Sequence, residues 1–82
     1  MHNVVVGGLY RHYKGKLYKV INIARHSETL EFMVIYQALY NSTFGNNTIW
    51  TRPLTMFVEE IDLQTHQQRF ELISKPSNLL RK

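Results

Sequence analysis

His26, Ser27 and Glu28 stand in consecutive positions. They supply an imidazole, a hydroxyl and a carboxylate, the groups that carry acid–base or nucleophilic catalysis when geometry brings them together. Direct adjacency works against that use. Neighbours on an extended strand point to opposite faces, and in a polar loop such residues commonly hydrogen-bond the backbone instead. The trio is a candidate for ligand contact, with local hydrogen bonding as the competing reading and catalysis as a further alternative. His12 and His26, joined by Glu28 or Glu31, would make a minimal metal set if their segments met at one end of the fold. No His-Glu-x-x-His or comparable ligand spacing occurs, so neither a metal nor a cofactor is expected.

Arg11, Arg25 and Arg52 form a second group, each near an aromatic residue or a proline. A guanidinium offers a planar donor fork that fits carboxylate or phosphate. Arg52 follows Trp50 by two positions, so the two side chains share a side if the segment is extended, and a cation–π contact beside an anion site becomes available. The competing reading pairs these arginines with Glu28, Glu31, Glu59 or Glu60 to tie strands together. Tyr10, Tyr13, Tyr18, Tyr36, Tyr40 and Trp50 alternate with basic residues, a pattern found on surfaces that bind single-stranded nucleic acid. In a small domain the same rings also serve as core. The candidate ligand contacts are Arg11, His12, His26, Ser27, Glu28, Trp50 and Arg52, placed on one shared rim.

Those side chains need elements to hold them, and the chain has 82 residues to provide them. That length suits one domain over 1–82, with a compact part over about 7–73 and a tail over 76–82. So short a chain buries only about 60–65% of its unfolded surface, which leaves a thin core. There is no cysteine, hence no disulfide framework or thiolate zinc site. Five tyrosines, four phenylalanines and one tryptophan must supply much of the buried area. The start lacks a basic stretch followed by a long apolar run, and no stretch is apolar enough to span a membrane. A cytoplasmic location and no membrane partner are expected. The net charge of +4 suits phosphate-bearing partners, although only Arg11, Lys14, Lys16 and Lys19 cluster, and a plain solubility charge is the alternative reading.

Taken in order, Val4-Val5-Val6 ends at Gly7-Gly8, where the chain is free to change direction. Leu9 to Tyr13 reads as a strand with Tyr10 and His12 on one face and Leu9, Arg11 and Tyr13 on the other. Lys14-Gly15 is a tight turn. Leu17 to Ala24 is the next strand, with Tyr18, Val20 and Asn22 opposed to Lys19, Ile21 and Ile23. Arg25 to Thr29 is a polar connection, and Leu30 to Leu39 is the strongest apolar run and a central strand. Asn41 to Thr48 is a loop by composition, and Ile49-Trp50-Thr51 is extended again. A helical turn is expected after Pro53, then a strand in Val58 to Leu63, a polar turn over Thr65 to Gln68, and a last strand in Arg69 to Ile73. Leu79 to Lys82 reads as a frayed end. Five or six short strands with close turn signals predict a mainly β fold, a small barrel or a strongly bent sheet, and closure would hide the strand edges that an open sheet leaves unpaired.

Gly8-Leu9-Tyr10-Arg11-His12-Tyr13-Lys14-Gly15 with Tyr18 and Val20, Ala24-Arg25-His26-Ser27-Glu28-Thr29, Val34-Ile35-Tyr36 with Leu39-Tyr40, Trp50-Thr51-Arg52-Pro53 with Met56-Phe57, and Arg69-Phe70 together resemble the bacterial domain of unknown function 1653. The resemblance spans roughly Gly7 to Ile73. It implies a compact SH3-like β-barrel and brings no activity and no functional residues. The leading expectation is thus a non-enzymatic binding module for an anionic ligand, a peptide or a nucleic acid, with homodimerisation open. The alternatives are a small hydrolase-like enzyme using His26 and Glu28, and an interaction domain that works by strand-edge pairing.

Overall fold

The structure, a computed structural model, describes residues 4–76. Its elements in chain order are β1 (Leu9–His12), β2 (Leu17–Arg25), β3 (Phe32–Ala38), β4 (Asn41–Ser42), β5 (Gly45–Asn46), β6 (Ile49–Pro53), α1 (Leu54–Phe57), β7 (Glu60–Asp62), β8 (Gln67–Gln68) and β9 (Phe70–Ser74). Five of these strands make one sheet in the order β6-β3-β2-β1-β9, and β4-β5 and β7-β8 are two-stranded ribbons. Neighbouring strands of the sheet run antiparallel.

The mainly β reading holds, and so does the helical turn. Pro53 stands immediately before α1, where its fixed φ suits the entry and its missing N–H costs nothing. Alternation along β1 is as expected. Tyr10 is buried, His12 lies over the Phe70 ring with centroids 4.9 Å apart, and Arg11 is exposed. Along β2 the strict alternation fails at one point. The register with β3 shifts between Val20 and Asn22, so Val20 faces Tyr36 while Ile23 faces Val34. The extra residue at Ile21 is a bulge, which returns Ile23 to the face of Val20. Ile23 then packs against the core instead of pointing away with Lys19 and Ile21.

Two segments differ from the polar loops expected of them. Asn41 to Thr48 contains the β4-β5 ribbon, which turns at Thr43-Phe44 and enters β5 at Gly45, whose φ is +114°. Thr65 to Gln68 ends in β8, paired with β7. The tail expected over 76–82 lies, beyond Pro76, outside the described residues.

The core is one layer of side chains on the inner face of the sheet. Val20 and Val34 are fully buried there, with Tyr10, Tyr36, Phe70 and Val4 beside them and Phe57 of α1 inserted among them. Phe57 stacks on Phe70 with centroids 4.2 Å apart and planes 6° from parallel. Closure into a barrel, however, is not made. β6 and β9 remain the two sheet edges, with no ladder between them among the described residues. The sheet is nevertheless rolled. In a flat sheet, edge strands four spacings apart would stand about 19 Å from each other. Yet the Arg52 guanidinium of β6 lies 5.5 Å from the Phe70 ring of β9, and Tyr36 of β3 has its ring 5.4 Å from the same phenylalanine. Aromatic side chains fill the gap that a final ladder would otherwise close.

Candidate functional site

The register of the sheet decides what meets on its inner face. Tyr18 stands opposite Ala38, and Tyr36 opposite Trp50. Arg52, two residues beyond Trp50, stands opposite Val34 and so points to that same face. With Tyr40, at the end of the loop that follows β3, these side chains enclose a cleft of about 210 Å³ lined by Tyr18, Tyr36, Tyr40, Trp50 and Arg52. The lining holds three hydroxyls, an indole and one guanidinium, with no carboxylate.

The walls are fixed by ring contacts. Tyr18 meets Tyr36 and Tyr40 edge-on at 5.4 and 5.5 Å, and the Tyr18 and Tyr40 hydroxyls are hydrogen-bonded at 2.5 Å. Burial, then that hydrogen bond, pushes the Tyr18 hydroxyl far above the ordinary tyrosine range. Burial also raises Tyr36, against the charge and hydrogen bond of Arg52, which pull it down. Both phenols are therefore held neutral and able to donate. Arg52 has no ion-pair partner among the described residues, where the close pairs are Arg69 with Glu59 at 2.9 Å and His66 with Glu60 at 3.3 Å.

His12 adjoins the cleft through Tyr18, with ring centroids 6.3 Å apart. Its Nδ1 accepts the backbone N–H of Lys14 at 3.2 Å, and its ring lies 4.6 Å from that of Tyr13. Desolvation lowers its pKa first, and the charges of Arg52, Arg69 and Lys14 lower it further. Arg69 thus adds to the positive potential of this end of the molecule. Its Nε is buried and has no hydrogen-bond partner.

Of the residues expected on one rim, Trp50 and Arg52 line the cleft, and His12 borders it through Tyr18 while lining a second depression with Arg11. Arg11 points to the opposite face of β1, as the alternation with Tyr10 and His12 requires, and stands opposite Glu71 of β9. It lines that second depression, of about 340 Å³, with His12, Tyr13, His66 and Glu71. Opposite charges sit side by side there, which makes it a weaker anion site than the smaller cleft despite its size. His26, Ser27 and Glu28 belong to the β2-β3 turn. His12 flanks the start of β2 and His26 follows its end, so the two imidazoles do not meet at one end of the fold. The His26 Nδ1 accepts the backbone N–H groups of Glu28 and Thr29 at 3.1 and 3.3 Å, and the turn closes on a hydrogen bond from Leu30 N–H to the His26 carbonyl at 2.8 Å. Among the described residues no three His, Asp or Glu side chains gather to hold a metal ion.

The arginines do not tie strands through the glutamates expected. Arg25 donates to the Leu30 carbonyl at 2.7 Å and lies 4.2 Å over the Phe32 ring. Glu59, just before β7, pairs instead with Arg69, in the link between β8 and β9, an arginine the sequence did not single out. Also missed as site residues were Tyr18, Tyr36 and Tyr40. They were noted among the rings interleaved with basic residues, but local pattern did not place them with Trp50 and Arg52, because that meeting depends on the β2-β3 and β3-β6 registers.

Fold and cleft together define a small rolled antiparallel β domain with an arginine set among tyrosine rings. The chain belongs to the family described as protein of unknown function DUF1653, whose sequence model matches residues 8–72. It is similar to a protein of that family from Bordetella bronchiseptica, known from a crystal structure, with 35% identity, 87% of this chain and 90% of that one covered, and a TM-score of 0.71. No curated protein matches the chain. No helix among the described residues is long and apolar enough to cross a membrane.

Proposed function

We propose that this domain is a non-enzymatic binding module that receives an anionic group in the tyrosine-lined cleft, on the guanidinium of Arg52. The observation that carries the reading is the setting of Arg52. It lines a cleft whose other polar groups are tyrosine hydroxyls and an indole, and no carboxylate neutralises it among the described residues. Arg52 hydrogen-bonds Tyr36 and lies over the Phe70 ring, yet no carboxylate among the described residues balances its charge, and an anion entering the cleft would supply that counter-charge in bidentate form. The Tyr18 and Tyr36 hydroxyls, whose pKa values burial raises, bring no competing negative charge. A hydrolytic role for His26 and Glu28 finds less support, because the His26 Nδ1 already accepts two backbone N–H groups in an exposed turn.

Titration with inorganic phosphate, followed by NMR of the aromatic side chains, tests the reading. Shifts are expected at the Tyr18, Tyr36, Tyr40 and Trp50 rings and should saturate. Arg52→Gln should abolish them, while Arg11→Gln, on the opposite face, should leave them intact. Shifts that follow every surface arginine equally, or that survive Arg52→Gln, would sink the proposal.

A further inference from the structure

Beside the cleft lies an arrangement that a simple anion site would not need. Phe44, between β4 and β5, is 73% exposed, and its ring meets the Trp50 indole edge-on with centroids 5.3 Å apart. Trp50 itself is 37% exposed although it lines the cleft. Exposed phenylalanine and tryptophan on a small, thin-cored domain forgo burial that the fold could use, and such rings offer stacking faces to a flat partner. On the other side of the cleft, cations and rings continue in alternation. The Lys16 ammonium lies 5.0 Å from the centre of the Tyr40 ring, and the Lys14 ammonium 5.8 Å from that of Tyr13. From Phe44 through Trp50, Arg52 and Tyr40 to Lys16 the surface offers ring, ring, cation, ring, cation, and the cleft between them contains no acid.

Resting on the anion site argued above, we propose that the ligand is single-stranded nucleic acid, with one phosphate on Arg52 and a base stacked on Trp50. Alternating flat faces and positive charges match a strand in which bases and phosphates alternate, and stacking on rings is tolerant of sequence because every base has a π face. A compact anion such as a carboxylate or free phosphate would occupy the cleft and leave Phe44, Trp50 and Lys16 without a role. The strand accounts for both halves of the surface.

The test uses the one tryptophan of the chain, whose emission a stacked base quenches. Three probes are titrated into the whole protein in parallel: a short oligothymidylate, thymidine monophosphate and inorganic phosphate. The oligothymidylate is expected to bind more tightly than the other two and to quench Trp50. Its log affinity should fall linearly with log salt concentration, by about 0.7 per phosphate neutralised. Trp50→Ala should weaken binding, read by anisotropy of a labelled oligothymidylate, by about ten-fold or more. Trp50→Phe, which keeps a stacking ring, should recover most of it, and Arg52→Gln should lower the salt slope. Circular dichroism of each variant establishes that it is folded.

Unchanged emission at saturation, or wild-type affinity in Trp50→Ala, overturns the stacking. Thymidine monophosphate binding as tightly as the oligomer overturns the strand in favour of a free nucleotide. Phosphate bound on Arg52 with no gain for either nucleotide probe would overturn this inference and leave the anion site standing. Failure of phosphate as well would remove both.

Discussion

His12 is the residue whose charge state this surface controls. Burial and the cations Arg52, Arg69 and Lys14 lower its pKa in the folded chain. The unfolded state therefore binds the proton more readily than the folded state. The stability this contributes is fully present above the ordinary histidine value of about 6.5 and is lost as the pH falls below it. Urea midpoints should accordingly drop between neutral pH and about pH 5, and His12→Phe, which keeps a ring against Phe70 and removes the titration, should flatten that drop. Equal slopes for the two proteins would show that other groups carry the acid sensitivity. The same electrostatics link His12 to the ligand. An anion on Arg52 cancels one of the charges that hold the imidazole down, so its pKa, followed by NMR, should climb back as the cleft fills.

At the scale of elements, the β2-β3 turn shows how conformation and composition disagree. Leu30 is held at φ +64° and is exposed. A left-handed backbone costs an L-residue about 1–2 kcal/mol, and glycine avoids it. Leu30→Gly should thus stabilise the domain, by about 0.5–1 kcal/mol once the greater freedom of glycine in the unfolded chain is deducted, read from urea unfolding. Destabilisation would mean that the Leu30 side chain contributes packing that its exposure conceals. The polar connection over Arg25 to Thr29 was legible but its extension through Leu30 was not, because a leucine before Glu31 and Phe32 reads as the start of the strand that follows. For the same reason the bulge at Ile21 was illegible, since Ile21, Asn22 and Ile23 fit a regular strand and only the pairing with Ile35 and Val34 shows the slip. The period-two placement of Tyr10 and His12, the helical turn after Pro53, and the shared side of Trp50 and Arg52 were legible. Each depends on neighbours within a few residues. The meeting of Tyr18, Tyr36 and Tyr40 with them depends on register across hairpins, which local pattern does not encode. The same holds for the separation of His26 from His12.

Across the whole molecule, stability and site rest on one aromatic stack. A chain of this length has a folding free energy of about 4–12 kcal/mol at typical values per residue. Phe57 is buried, stacks on Phe70, and meets Tyr10 and Tyr36 edge-on at 5.3 and 5.4 Å. It joins α1 to both halves of the rolled sheet, whose edges no ladder connects among the described residues. Removing a buried phenylalanine ring typically costs about 3–5 kcal/mol, from lost burial plus the cavity left behind. Phe57→Ala should therefore consume a large part of the total, shifting the urea midpoint far down or leaving the chain unfolded without denaturant. The effect should reach the cleft before unfolding is complete, because Phe70 lies under the Arg52 guanidinium as well as against Phe57. In the folded fraction of Phe57→Leu, which retains apolar volume but no stacking face, phosphate affinity should fall while Arg11→Gln leaves it unchanged. A Phe57→Ala protein that unfolds within about 1 kcal/mol of wild type would show that the sheet holds its curl without the stack. The mutual dependence of core and cleft would then be wrong, whatever the cleft binds.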